Sequence, residues 1–306
     1  MKRAVFSLVI LIGYFSNFGF AKPLDNNEKT GGPFNIILII TDDQGYGDLG
    51  IHNGLIKTPV LDRLAKQSVQ LTNFHVDPTC SPTRAALMTG KYSINAGVWH
   101  TVMGRHMLAS KHLTVAEVLK DAGYKTAMIG KWHLGDNYPF RPQDQGFDHV
   151  LMHGGGGVGQ SPDHWGNTQF DDSYYLNGRA KAYDGYATDI WFDEAISYVN
   201  RFEGKSDPFF LYISTNAPHV PYRAPKSYVD QYLEVGLPRD MAMFYAMITN
   251  IDSNIGRLIA RTEAAGILDN TIFIFMTDNG SSLAMQSNGE PLSMLSDELL
   301  ARLNVT

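Results

Sequence analysis

Asn35-Ile-Ile-Leu-Ile-Ile-Thr41-Asp42-Asp43 is a continuous apolar run that ends directly in two carboxylates. A run with no alternation fits a strand covered on both faces, because both rows of its side chains must then be apolar. Similar runs recur at Lys125 to Ile129, Phe209 to Ser214 and Thr271 to Thr277, each preceded by a segment with helical features. This alternation predicts an α/β fold: a mainly parallel central sheet flanked by helices. The helical pattern is clearest in two places. Thr114-Val-Ala-Glu117 is a capping-box pattern that opens a helix ended near Gly123. Phe244, Ile248, Ile251, Ile255 and Leu258 recur at steps of four and three, which places them on one core-facing side of a longer helix.

A chain of 306 residues with 44% hydrophobic content can bury the core of one large α/β domain or two smaller ones. Its 25 basic and 31 acidic residues leave a net charge of −6, with no long basic run. Nothing in that balance points to the phosphate-tracking surface of a nucleic-acid binder, and no nucleic-acid partner is expected. Residues 1–21 read as a secretory signal: Met1-Lys2-Arg3, an apolar stretch, then Gly19-Phe20-Ala21 as a cleavage site. Ser16 and Asn17 interrupt the stretch, and it is short for a stable membrane span. The expectation is an exported chain, periplasmic or secreted, with a flexible segment over 22–33. Cys80 is the single cysteine, so no intrachain disulfide can form.

In open α/β sheets ligands bind beyond the carboxyl ends of the strands. Three of the predicted strands deliver polar groups there: Asp42 and Asp43, then Lys131-Trp132-His133, then Asp278-Asn279. Carboxylate and amide oxygens suit a hard cation, calcium or magnesium, and no histidine or thiol cluster at zinc spacing is present. Each acidic pair by itself reads equally as a solvated turn; Gly45 and Gly47 would let the chain bend so that both aspartates face one ion. In Cys80-Ser-Pro82-Thr-Arg84, Pro82 suits the first turn of a helix. Cys80 then sits near the N-cap, where free N–H groups favour an anion, with Arg84 on the same face. A buried structural cysteine and a catalytic thiolate are the alternatives for Cys80 by itself, and no Cys-His-Asn signature surrounds it. Gly154-Gly-Gly-Gly-Val-Gly159 satisfies a dinucleotide-loop spacing, but no helix start follows it. It is expected to be a loop at a pocket mouth, with Asp163, His164 and Trp165 as substrate contacts or as a plain surface connection.

Five ordered segments together resemble the type I sulfatases of the alkaline-phosphatase-like superfamily. They are Asp42-Asp-Gln-Gly-Tyr-Gly-Asp48, Cys80-Ser-Pro-Thr-Arg84 with Leu87-Met-Thr-Gly-Lys91, Gly130-Lys-Trp-His-Leu-Gly135, Ala217-Pro-His219 and Thr277-Asp-Asn-Gly280. The likeness covers about residues 34–280, the expected catalytic domain. It implies a sulfuric ester hydrolase acting on aryl or carbohydrate sulfates, with a sulfated small molecule or glycan as substrate. It further implies that a formylglycine-generating enzyme oxidises Cys80 to formylglycine, whose hydrate supplies the nucleophile. Asp42, Asp43, Asp278 and Asn279 match the family's calcium ligands, with the modified Cys80 completing the shell. Arg84 and Lys131 match the residues that hold the diol and the sulfate oxygens, His133 the base, and His219 the acid beside the leaving oxygen.

Residues 281–306 depart from the family pattern. They carry no Arg-Gly-Lys-like segment with a sulfate-gripping lysine, the smaller C-terminal domain of the family is missing, and Leu292 to Val305 has only the spacing of a short amphipathic helix. This departure keeps open an inactive or weakly active anion- and metal-binding remnant. A phosphodiester or phosphonate ester hydrolase of the same superfamily is the other alternative.

Overall fold

The computed structural model describes residues 32–281. The expected signal, the tail beyond 281 and the helix at Leu292 to Val305 lie outside the described residues. Seven strands form one sheet: β1 (Asn35–Thr41), β2 (Lys125–Lys131), β3 (His149–His153), β4 (Ser173–Leu176), β5 (Arg179–Ala182), β6 (Phe209–Ser214) and β7 (Thr271–Thr277). Their order is β5-β4-β3-β2-β6-β1-β7. β7, β1, β6, β2 and β3 run parallel, and β4 and β5 add an antiparallel hairpin at one edge. The helices are α1 (Pro59–Gln67), α2 (Cys80–Thr89), α3 (Val115–Asp121), α4 (Ala187–Asn200), α5 (Lys226–Leu233) and α6 (Arg239–Ala264).

The unbroken apolar runs are explained by two cores. Along β1, Ile37 and Ile39 join one buried cluster with α4 and α6, whereas Leu38 and Ile40 join a second cluster with Ala85 and Met88 of α2 and Ala116 of α3. β6 divides the same way, with Phe209, Leu211 and Ile213 on the first side and Phe210 and Tyr212 on the second. Each such side chain removed from water contributes about 1.5–3 kcal/mol. Phe244, Ile248, Ile251, Ile255 and Leu258 of α6 are all fully buried on the first side. β7 differs from the expectation of two-sided cover. Ile272 and Ile274 stay 44% and 43% exposed: they lie in register with Ile36 and Leu38 on the face of the second cluster, which is only partly covered at this edge strand, whereas Phe273 and Phe275 pack on the first cluster.

The capping box forms at the start of α3. Thr114 Oγ1 accepts from the Glu117 amide at 3.2 Å, and Glu117 Oε2 accepts from the Thr114 amide at 2.8 Å. Near the end of β2, Gly130 has φ +104°, and a Cβ there would lie 2.0 Å from the Ser214 carbonyl oxygen on β6. Only glycine lets β2 approach β6 this closely just before Lys131 and His133. Gly130→Ala is expected to cost about 2–3 kcal/mol, from the strained φ and the clash together. Urea unfolding of the variant beside the parent measures it.

Candidate active site

The carboxyl ends of β1, β2, β6 and β7 meet the N-terminus of α2, and the buried charged residues Asp42, Asp43, Arg84, Lys131 and Asp278 collect there. Asp42, Cys80 and Asp278 each bring a ligand atom within 4.8 Å of the other two, all three buried. Asp42 and Asp278 are far apart in the sequence and are brought together by the parallel pairing of β1 and β7, and Cys80 joins them from the start of α2. The backbone ties the ends. The Asp278 amide donates to the Thr41 carbonyl at 3.1 Å, and the Asp42 amide to the Ala217 carbonyl at 3.1 Å.

The bend that turns Asp43 toward the same place lies at Asp43 itself, with φ +64°. The two following glycines, expected to make this turn, do not make it: Gly45 donates its amide to Asp48 Oδ2 at 2.8 Å, and Asp43 has already turned. The left-handed conformation costs a non-glycine residue about 1 kcal/mol or more. It is held by the Asp43 amide donating to Asp278 Oδ1 at 3.0 Å and by Asn279 Nδ2 donating to Asp43 Oδ1 at 2.7 Å.

Two buried cations stand behind these acids. Lys131 Nζ donates to Asp42 Oδ2 at 2.5 Å, and Arg84 Nη2 donates to Asp278 Oδ2 at 2.9 Å. Arg84 Nη1 is engaged with the Ser214 hydroxyl, the Lys131 carbonyl at 3.2 Å and the Tyr212 hydroxyl at 3.4 Å. Both cationic side chains have no exposure and are directed at carboxylates rather than into the pocket. In this structure both cations are engaged with Asp42 and Asp278, which lie behind the residues that line the pocket. Burial pushes the Asp42 carboxyl well up, against the pull of Lys131, and Asp278 adds to the push. Burial opposes ionisation of Asp278 as well, but Arg84 and Lys131 hold its carboxyl below the usual range.

Cys80 is the first residue of α2, with Pro82 in the first turn as its sequence predicts. Burial pushes the Cys80 thiol up, only partly countered by Lys131. That disfavours the thiolate a cysteine nucleophile needs. Its sulfur lies 3.3 Å from His133 Nδ1. His133 Nε2 lies 3.0 Å from the Thr101 carbonyl, which can only accept, so Nε2 carries the proton and Nδ1 presents a lone pair to residue 80. Burial, Lys131 and Arg84 all push the His133 pKa well down, so the ring is neutral at neutral pH.

A pocket of about 490 Å³ opens over Cys80 and His133, with Asp43, His219 and Asn279 on its wall. His219 Nδ1 donates to the Val220 carbonyl at 2.7 Å, which directs Nε2 to within 3.8 Å of Asp43 Oδ2. Burial and then Lys131 lower the His219 pKa, whereas Asp43 raises it. The remaining wall comes from loops without regular pattern: Thr101 to His106, and Gly155 with Gly156 facing Ser161 and Pro162. His106, whose ring centroid is 5.6 Å from that of His133, has no motif around it that could have marked it in the sequence.

The glycine run does border the pocket. Asp163, by contrast, organises the loop: its carboxylate accepts from the amides of Gly154 at 2.9 Å and Gly159 at 2.8 Å. Trp165 is 96% exposed, and neither it nor His164 lines the pocket. Gly156 has a steric reason, since a Cβ there would lie 2.6 Å from His133 Cε1. Gly156→Ala is expected to push the His133 ring away from residue 80 and lower turnover about 10²-fold, with little change in unfolding midpoint. Steady-state kinetics and thermal melts on the same preparation check it.

The donor set fits a hard cation. Asp42 Oδ1 and Asn279 Oδ1 are buried oxygens with no hydrogen-bond partner among the described residues, and they lie beside Asp43 and Asp278. Such orphaned acceptors cost about 1–3 kcal/mol each unless a cation or donor meets them. A neutral thiol is a poor partner for such an ion, so an oxygen at position 80 would suit it better.

The family model described as Sulfatase matches residues 34–300. Arylsulfatase J of Mus musculus is 31% identical over 271 residues, covering 84% of this chain and 44% of the relative. N-acetylgalactosamine-6-sulfatase of Rattus norvegicus is 31% identical over 281 residues, covering 82% of this chain and 51% of the relative. The chain thus spans about half the length of these curated relatives. The crystal structure of Ps i-CgsB in complex with k-i-k-neocarrahexaose matches with a TM-score of 0.74 at 29% identity, covering 85% of this chain and 61% of that one.

Proposed function

Because the chain belongs to the sulfatase family, we propose that it hydrolyses sulfate monoesters, aryl or carbohydrate, through a formylglycine made from Cys80 and a calcium ion held by Asp42, Asp43, Asp278 and Asn279. The observation that carries this reading is the meeting of Asp42, Cys80 and Asp278 under a pocket in which a neutral histidine faces residue 80. Magnesium would satisfy the same oxygen set with a stricter geometry. When bound, the ion and the oxidised side chain would supply a charge sink and an oxygen nucleophile.

The other steps belong to the chain's own residues. His133 Nδ1 stands where it can take a proton from an oxygen at position 80, and the Thr101 carbonyl fixes the tautomer that leaves Nδ1 free to do so. Lys131 and Arg84 hold Asp42 and Asp278 in place, and with Arg84 as the larger influence they keep Asp278 ionised, so the charged layer behind the pocket is preorganised before substrate arrives. The N-terminus of α2 adds N–H groups that favour the anionic sulfate ester group. His219, on the opposite wall, is placed to return a proton to the departing alcohol. The arriving sulfate and the Asp43 carboxylate both favour its protonated form.

The proposal extends to an exported, periplasmic or secreted protein that meets its modifying enzyme before folding buries Cys80. Among the described residues no helix is long and apolar enough to cross a membrane. The test is release of inorganic sulfate from aryl and sugar sulfates, run beside the matching phosphate and phosphonate esters. Sulfate release several orders above the phosphorus substrates is the expected result. The reverse ranking would turn the assignment to phosphoester hydrolysis, and no turnover from protein bearing the aldehyde would leave an anion-binding remnant.

A further inference from the structure

A second pocket, of about 310 Å³, lies beside the first. Pro162 lines both, Gly155 lines the first and Gly154 the second, so the two flank one ridge of loop. The ridge is thin, since a Cβ on Gly155 would stand 2.8 Å from Pro162 Cδ. Asp136 braces it from the second pocket, accepting from the Gly155 amide at 3.2 Å.

The lining of this second pocket has a distinct chemistry. Tyr138 is 76% exposed and carries the Arg141 guanidinium 5.9 Å from its ring centroid. Asp144 engages Nε and Nη2 of that guanidinium at 2.8 and 2.9 Å, so its charge is already balanced. Gln143 contributes a buried Oε1 with no hydrogen-bond partner among the described residues, an acceptor that asks for a hydroxyl or N–H donor. An aromatic face, a neutralised planar cation, an amide acceptor and the Asp136 carboxylate suit a hydroxyl-bearing ring without charge. A second sulfate would meet Asp136 and find no uncompensated cation.

Resting on the reading of the first pocket as the sulfate-ester site, we infer that the second pocket receives an uncharged sugar ring adjoining the sulfated one. The substrate is then an oligosaccharide rather than an isolated sulfated monosaccharide. Both pockets are occupied by one chain that crosses the Pro162 ridge, and binding in the second lowers the entropic cost of placing the ester in the first.

The experiment compares sulfated galactose and sulfated N-acetylhexosamine, each alone and as the terminal ring of a disaccharide whose other ring is unsulfated. The disaccharide is expected to show kcat/KM at least about 10-fold higher, a gain of about 1.4 kcal/mol. Tyr138→Ala, at an exposed position, and Gln143→Leu should each erase that advantage while leaving the monosaccharide rate unchanged. Equal kcat/KM for both lengths, or an advantage that survives both substitutions, overturns the inference. If protein bearing the aldehyde hydrolyses no sulfated sugar, the reading of the first pocket fails, and calorimetry then judges the second pocket separately. Cys80→Ala protein should bind the sulfated disaccharide about 10-fold more weakly once Tyr138→Ala is added. Unchanged affinity, or no binding, overturns the site.

Discussion

Cys80→Ala is expected to lower sulfate release by at least about 10⁴-fold, the loss seen when a covalent nucleophile is removed and only binding and electrostatics remain. The thiol as it stands is ill suited to the work, since burial holds it protonated. Its one histidine partner, at 3.3 Å, is neutral and can accept only one proton. Cys80→Ser separates the two chemistries that remain. A serine keeps a hydroxyl within reach of His133 Nδ1 but offers no thiol for oxidation. If formylglycine is the working group, serine should be nearly as inactive as alanine; a simple base-activated hydroxyl would instead retain a substantial rate. Mass spectrometry of the peptide containing Cys80, from protein made with and without the modifying system, completes the test. Activity should track the aldehyde fraction linearly, and full activity from an unmodified thiol would remove the mechanism.

Of the strands that build the catalytic end, β1, β2 and β6 are legible because each is covered on both sides and carries apolar residues without alternation, whereas β7 has an apolar run although one of its faces stays partly exposed. The hairpin of β4 and β5 lies outside the strands expected from apolar runs, although the sequence carries its signal in the turn. Asn177 and Gly178 sit between the strands with φ +49° and +82°, as a two-residue hairpin turn requires. β3 is not legible because His149-Val-Leu-Met-His153 is short and its terminal histidines are buried against Glu194 and Trp191, partners that only the tertiary fold supplies. In the site, residues placed just after strands could be located, since parallel topology delivers them to one end. The direction of their side chains could not. That Arg84 faces Asp278 and Ser214 rather than the pocket depends on which acids β7 brings alongside β1. The pocket wall from Thr101 to His106 has no periodicity, and its contact with His133 arises from loop packing that no local pattern encodes.

Arg84→Met should destabilise the fold by about 3–5 kcal/mol, because it leaves buried carboxylates without their counter-charge. Asp278 would lose a 2.9 Å charged hydrogen bond, and Asp42, whose nearest Arg84 nitrogen is 3.8 Å away, would depend on Lys131 alone. The packing loss is small, since methionine fills much of the same volume, so the effect isolates charge. Two further measurements show that it does. Adding Asp278→Asn to Arg84→Met removes one uncompensated charge and should recover about half of the lost stability, whereas two unrelated lesions would simply add. Calcium supplies positive charge to the same acids, so it should raise the melting midpoint of Arg84→Met more than that of the parent, with magnesium weaker. Additive losses in the double variant, with equal calcium shifts in both proteins, would mean that Arg84 acts through packing and that the acids are not the electrostatic centre of the site.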